Sequence, residues 1–228
     1  MSDSVTIIET EGLWRIFTLG GKDVPALRGV TMKVPSGKFV TLKGRSGSGK
    51  STLLNCIGGL DRPTSGSVRV FGRDLSELSD DELALWRRRE VGVIFQSFGL
   101  LPSLSAYENV ELMLRLISVP VKERRERTHH CLEVVGLQKW MRHRPNEMSG
   151  GQQQRVGIAR SLANRPRLIL ADEPTGELDS NTAHEILGFF RQIVDQENVS
   201  LLMASHDPLV DDYADEIIQL RDGQVVDL

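Results

Sequence analysis

The stretch Gly44-Arg45-Ser46-Gly47-Ser48-Gly49-Lys50-Ser51-Thr52 limits what this chain can fold into more than any other. Before it, Lys38 to Leu42 has the β-branched, alternating look of a strand, and after it Thr52 to Ile57 has the apolar spacing of a helix. A glycine, four residues and then Gly-Lys-Ser, set between strand and helix, read as a phosphate cradle. Gly44, Gly47 and Gly49 free the backbone to turn consecutive N–H groups onto one anion. The helix opening near Lys50 adds its own unpaired N–H groups and positive dipole end. Lys50 is expected to reach the β- and γ-phosphates of a nucleotide, and the Ser51 hydroxyl to ligate Mg²⁺.

Length and charge narrow the classes. A chain of 228 residues fits one domain with room for an inserted subdomain. Its net charge of −3 and pI near 6.0 supply no field that would gather nucleic acid or anionic lipid. Cys56 and Cys131 stand far apart with no paired spacing, which argues against a zinc site and for a reducing compartment. Asp3, Glu9 and Glu11 fall where a signal peptide needs an apolar core, and no apolar run approaches the ~18 residues of a membrane span. The expected location is therefore the cytoplasm.

Val5 to Leu13 and Val24 to Val34 read as two strands around a Gly20-Gly21-Lys22-Asp23 turn, an antiparallel lead-in to the cradle. The aromatics between them, Trp14 and Phe17, are either edge-strand or core residues or a platform for a purine, with Phe17 favoured for that role. Ser67 to Phe71 reads as a short strand, and Ser79-Asp80-Asp81-Glu82 opens a capped helix that ends in the solvated run Arg87-Arg88-Arg89. Val91 to Phe95 is a buried strand that presents Gln96 at a strand–loop junction, where side chains often face ligand.

From residue 97 to 164 the β signal gives way to helical periodicity at Ser105–Ile117, Val121–Val135 and after Ser149. The mixed run Lys122 to Arg127 reads as an exposed helix face with internal ion pairs. Ser149-Gly150-Gly151-Gln152 is either an ordinary capped helix start or a second anion site. Leu168 to Ala171 is a strand whose carboxyl end carries Asp172, suited to Mg²⁺, and Glu173, suited to orienting and deprotonating a water. Another strand, Ser200 to Ala204, ends in Ser205-His206-Asp207. His206 alone of the five histidines stands at a strand end beside the expected site. The final strands are expected at Glu216–Leu220 and Val225–Asp227.

These motifs, in this order, resemble the nucleotide-binding subunit of ATP-binding-cassette transporters over essentially the whole chain. Met148-Ser149-Gly150-Gly151-Gln152 followed by Gln153-Gln154-Arg155-Val156 is the part specific to that family. The resemblance implies an α/β fold: a nucleoside-triphosphatase core around the phosphate loop, mostly parallel sheet with helices on both faces, with an antiparallel β lead-in and an inserted α-helical subdomain. The core would span 1–96 and 165–228, and the helical subdomain 97–164. It also implies an ATPase using ATP and Mg²⁺, with no other metal. Two copies would sandwich two ATP molecules, the segment Ser149 to Gln152 of one facing the phosphate loop, Gly44 to Thr52, of the other.

By the same resemblance Phe17 stacks on adenine, Gln96 contacts Mg²⁺ and the attacking water, His206 holds the γ-phosphate and Asp179 belongs to the loop linking the two sites. Phe95 to Pro102 and Asp172 to Gly176 with Leu178-Asp179-Ser180 are similar to the lipoprotein-release, macrolide-export and cell-division subgroup. That implies integral membrane permease partners at the cytoplasmic face of the cell membrane, with export or release of a substrate, or else signalling to an extracytoplasmic enzyme. The sequence departs from the family at Phe17, usually Tyr, at Met148, usually Leu, and at Glu177, an added acid in the linking loop.

Overall fold

The computed structural model describes residues 5–197 and 199–226. β1 (Thr6–Leu19) and β2 (Lys22–Pro35) form a long hairpin around Gly20-Gly21. Both turn residues have positive φ, 57° and 78°, as a two-residue hairpin turn of right-handed twist requires. The strands run further than the sequence predicts: β1 continues through Trp14 and Phe17, accommodated by register shifts around Leu13 and Arg15. β3 (Phe39–Lys43) leads into the phosphate loop and α1 (Lys50–Ile57). β4 (Ser65–Val70) and β5 (Arg73–Asp74) complete an antiparallel sheet of order β2-β1-β4-β5.

α2 (Asp80–Glu90) starts on the Ser79 capping box with Glu82 and leads into β6 (Val91–Ile94). The helices α3 (Ala106–Leu116), α4 (Val121–Val134) and α5 (Gly150–Leu162) follow. The chain then re-enters the sheet as β7 (Leu168–Asp172), crosses through α6 (Ser180–Glu197) to β8 (Ser200–Ser205), and finishes with β9 (Glu216–Arg221) and β10 (Gln224–Val226). Asp227, expected at the end of the last strand, lies outside the described residues. The second sheet has the order β10-β9-β3-β8-β7-β6, parallel from β9 to β6.

Alternation along these central strands divides the core in two. Val40, Leu42, Leu168, Leu170, Leu202 and Ala204 pack on one face with α1 and the antiparallel sheet. Phe39, Ile169, Ala171, Leu201 and Met203 pack on the other with α5, α6 and residues of α3 and α4. Buried on both faces, the strands read as continuous apolar runs. Because they are parallel, the loops after β3, β7 and β8 leave the same edge, where ligands bind in open α/β sheets.

The charged run at 122–127 differs from expectation. Two of its arginines, Arg124 and Arg127, tie helices together instead of pairing within α4. Arg124 Nε donates to Glu111 Oε1 of α3 at 2.8 Å and Arg127 Nη2 to the Leu162 carbonyl ending α5 at 2.8 Å, while Arg115, within α3 itself, donates from Nη2 to Glu111 Oε2 at 2.6 Å. Burial pulls the Glu111 carboxyl up, but the bonds from Arg124 and Arg115 outweigh it and hold the group below the usual range. Sequence periodicity places these residues on helices without showing that a second helix supplies their partners.

Side-chain exposures of 18% and 9% make the Arg124–Glu111 pair well shielded. Glu111→Ala, which strands both arginines, is expected to cost roughly 1–3 kcal/mol in urea unfolding, below the range for fully buried pairs. Because the folded-state pKa is depressed, this contribution is present above the unfolded value near ~4.3 and fades as pH falls through the folded value, so the gap between parent and variant should close in acid. A gap that stays constant down to pH 3 would contradict the ion-pair account.

Candidate functional site

The phosphate loop is shaped by its glycines and by what α1 lacks. Gly49 caps α1 at φ 101°, and a β-carbon there would lie 2.5 Å from the Ala26 carbonyl oxygen of β2. Only glycine fits. No side chain caps α1 and no acid occupies its first turn, so its N-terminal N–H groups remain for an anion. Lys50 is buried and folds back across its own loop, Nζ donating to the carbonyls of Gly44 at 2.8 Å and Arg45 at 3.3 Å. The same Nζ lies 3.2 Å from Glu173 Oε1.

Glu173 follows the last residue of β7 with a left-handed backbone, φ 46°, rare outside glycine and asparagine. Its N–H donates to the Ala204 carbonyl of β8 at 2.9 Å, which turns its side chain toward α1 and the loop after β8. His206 Nδ1 sits 2.9 Å from Glu173 Oε2. One carboxylate thus bridges the buried lysine and a largely exposed histidine, 65% accessible. A cleft of ≈ 320 Å³ at this point is lined by Ser46, Gly47, Gly49, Lys50, Ser51, Thr52, Gln96, Glu173 and His206, with Ala26 of β2. Past Ser46, Gly47 and His206 it opens into a broader cleft of ≈ 780 Å³, to which Gly44, Arg45 and Ser48 contribute.

Asp172 lies just beneath. Burial raises its carboxyl pKa and the Glu173 charge adds to that, opposed by the neighbouring Ser51 hydroxyl and by Lys50. Its Oδ1 is buried with no hydrogen-bond partner, an orphan acceptor beside a hydroxyl. Hard oxygen donors in this arrangement, Ser51, Asp172 and the neighbouring Gln96 amide, suit Mg²⁺, which takes few protein ligands and fills its octahedron with phosphate and water. The residues present therefore fit the ion.

The remaining predicted residues lie outside the cleft lining. Ser149 and Gln152 form a reciprocal capping box at the start of α5, Ser149 N–H donating to Gln152 Oε1 at 3.0 Å and Gln152 N–H to Ser149 Oγ at 3.3 Å. Gly150 opens the helix itself. At Gly151 a β-carbon would come within 2.5 Å of the Thr182 methyl of α6, so any larger residue there forces Thr182 to shift. Asp179 caps α6, accepting from the Thr182 hydroxyl at 2.6 Å and N–H at 3.1 Å, and those bonds hold its carboxyl below the ordinary value. Phe17 is half-buried on β1, with the Arg15 guanidinium 4.3 Å from its ring centroid.

Sequence reasoning missed Gln154. It is fully buried in α5 and donates to the Pro174 carbonyl at 2.7 Å, tying that helix to the residue after Glu173. The family-specific segment includes Gln154 without giving it a role; the signal for one is a polar residue on the buried face of an amphipathic helix.

A family model described as ABC transporter matches residues 27–176. An uncharacterized ABC transporter ATP-binding protein of Thermotoga maritima is 48% identical over 219 residues, spanning 96% of this chain and 93% of that protein. The macrolide export ATP-binding/permease protein MacB of Syntrophobacter fumaroxidans is 46% identical over 221 residues, 96% of this chain but 31% of MacB, so the chain spans about a third of that relative. Among solved structures, the dimeric post-hydrolysis state of the ATP-binding cassette MJ0796, bound to ADP and Pi, has a TM-score of 0.90 at 40% identity over 97% of each chain. CbiO1 from Clostridium perfringens, part of the ABC transporter complex cbiONQ, has a TM-score of 0.88 at 27% identity, covering 97% of this chain and 87% of that one. With its phosphate loop, paired carboxylates and Ser149 helix start in the same fold, this chain belongs to the ABC transporter family as an ATP-binding subunit that hydrolyses ATP with Mg²⁺.

Proposed function

We propose that two copies of this chain close face to face on ATP and open on hydrolysis, and that the motion drives export or release of a substrate through integral membrane permease subunits at the cytoplasmic face of the cell membrane. The single observation that carries this reading is the division of the site. Glu173, Lys50, His206 and Gln96 share one cleft, whereas Ser149 to Gln152 start another helix outside its lining. A second copy can supply that exposed helix start to the terminal phosphate.

In this reading the loop from Gly44 to Thr52 binds the phosphates through its N–H groups, and Lys50 neutralises the terminal two. Ser51, Asp172 and Gln96 hold Mg²⁺, whose charge, once bound, screens the phosphates and stabilises the negative charge of the transition state. Glu173 orients a water and accepts its proton. His206, hydrogen-bonded to Glu173, fixes that carboxylate and faces the terminal phosphoryl group. Phe17 stacks on the adenine. Asp179, at the α6 cap, lies on the loop that meets the other copy. Residues 97–164 act as a helical subdomain carrying the Ser149 helix start, inserted into a core made of 1–96 and 165–228.

The permease is proposed to dock where core and helices meet, in a groove of ≈ 370 Å³ lined by Leu60, Phe95, Leu101, Met113 and Arg160 among others. Leu60, Phe95 and Leu101 are each close to half exposed, an apolar cluster of the kind that partner helices cover. The 46% identity to MacB, itself a macrolide export ATP-binding/permease protein, favours export.

Glu173→Gln is expected to lower ATP turnover by about 10²–10⁴-fold with ATP affinity retained. The same variant, loaded with Mg²⁺ and ATP, should elute as a dimer in size-exclusion chromatography; a monomer at saturating ATP overturns the sandwich. Lys50→Ala removes charge-assisted bonds to phosphate and should weaken ATP binding by roughly 10–100-fold in calorimetric titration. An unchanged affinity rejects the cradle assignment. Leu101→Glu should abolish flotation with native membranes while leaving basal hydrolysis unchanged, and continued flotation would exclude the groove as the docking site.

A further inference from the structure

We propose that Arg15 is a positioning residue for the nucleobase: its guanidinium covers one face of the Phe17 ring and ties that ring to α1, so the opposite face is held ready for a purine. The proposal rests on the reading of Phe17 as the base-stacking residue.

The Arg15 guanidinium carbon lies 4.3 Å from the Phe17 ring centroid, within the range of cation–π attraction. Its Nε donates to Asp61 Oδ2 at 2.8 Å and its Nη1 to the Ile16 carbonyl at 3.4 Å. Arg15 and Asp61 are only 24% and 23% exposed, unlike a freely solvated surface pair. Asp61 in turn is fixed to α1, its N–H donating to the Asn55 carbonyl at 3.2 Å. Thr64 adds two further ties, its N–H to the Trp14 carbonyl at 2.7 Å and its hydroxyl accepting from Ile16 N–H at 3.0 Å.

The strand segment around Phe17 is therefore fastened to residues that leave the C-terminal end of α1, the helix whose N-terminal end forms the phosphate cradle. Base platform and phosphate cradle are thereby referred to one rigid element. A hairpin without these ties could let the ring drift. An aromatic ring has two faces, and a base stacks on one of them. Arg15 takes the other and opposes rotation of the ring about its side-chain bonds. Trp14, the other aromatic of this stretch, is 38% exposed, and among the described residues no cation lies over its ring.

The test compares ATP with inorganic tripolyphosphate, which has the phosphates without the base, in binding and steady-state assays on the full chain. Phe17→Ala should weaken ATP binding about 5–100-fold and leave tripolyphosphate unchanged. Arg15→Ala should raise the KM for ATP about 3–10-fold, with kcat and tripolyphosphate affinity kept. Arg15→Lys, which keeps a cation in place, should recover part of that loss, and the double variant should be no weaker than Phe17→Ala alone. If Phe17→Ala loses ATP affinity while Arg15→Ala does not, the assignment of Arg15 falls and that of Phe17 stands. Parental ATP binding by Phe17→Ala removes both. Equal loss of ATP and tripolyphosphate in Arg15→Ala would make Arg15 a support of the phosphate loop and overturn the proposal.

Discussion

The site depends on one carboxylate held in two directions. Glu173 sits on a left-handed backbone that costs about 1–2 kcal/mol relative to an ordinary helical or extended conformation. That conformation persists because the surroundings fix it: its N–H is bonded to β8, one carboxylate oxygen lies against Lys50 and the other against His206. Strain of this kind concentrates where geometry matters to chemistry. A residue in a relaxed strand conformation would continue β7 and turn its side chain to a sheet face. The left-handed step instead delivers the carboxylate across the sheet edge, into the cleft shared by the loops after β3, β6, β7 and β8.

The parallel sheet makes that delivery possible. β3 lies between β9 and β8, and β7 beside β8, so the phosphate loop, Glu173 and His206 emerge from neighbouring strands at one edge. Each strand is clamped from both faces by apolar residues of opposite parity, and such interiors pack too densely to let a strand end shift by a side chain's width. The precision of the site is thus supplied by a core that contains none of its chemistry.

How much of this was legible in the sequence follows from range. The phosphate loop, the Ser79 and Ser149 caps and the strand ends at Asp172 and Ser205 are written within a few consecutive residues, and there reading and structure agree. The unread features join residues far apart. β1 runs on through the aromatic stretch because β2 and β4 pair with it across bulges, which local propensity does not encode. Glu111 of α3 meets Arg124 of α4. Arg15 meets Asp61 across 46 residues, Gln154 meets Pro174 across 20, and Gly151 packs against the Thr182 methyl of another helix. Spacing rules describe one element at a time, whereas each of these contacts is fixed by how two elements pack.

Those long-range contacts also share a direction. Gln154 fastens α5 to the residue after Glu173, and the Thr182 methyl fills the space that glycine leaves at position 151, two residues past Ser149. Thr182 is itself held by Asp179, on the loop that leads away from Glu173. The helix start at Ser149 and the carboxylate at Glu173 are therefore linked within one chain by a short series of buried or close contacts. The Gln154 amide is fully buried, so breaking its bond to Pro174 would leave a donor unsatisfied at a cost of about 1–3 kcal/mol. Two elements far apart in the sequence, the start of α5 and the loop that follows β7, are thus positioned by the same few contacts, so a substitution at Gln154 or Thr182 is felt at both.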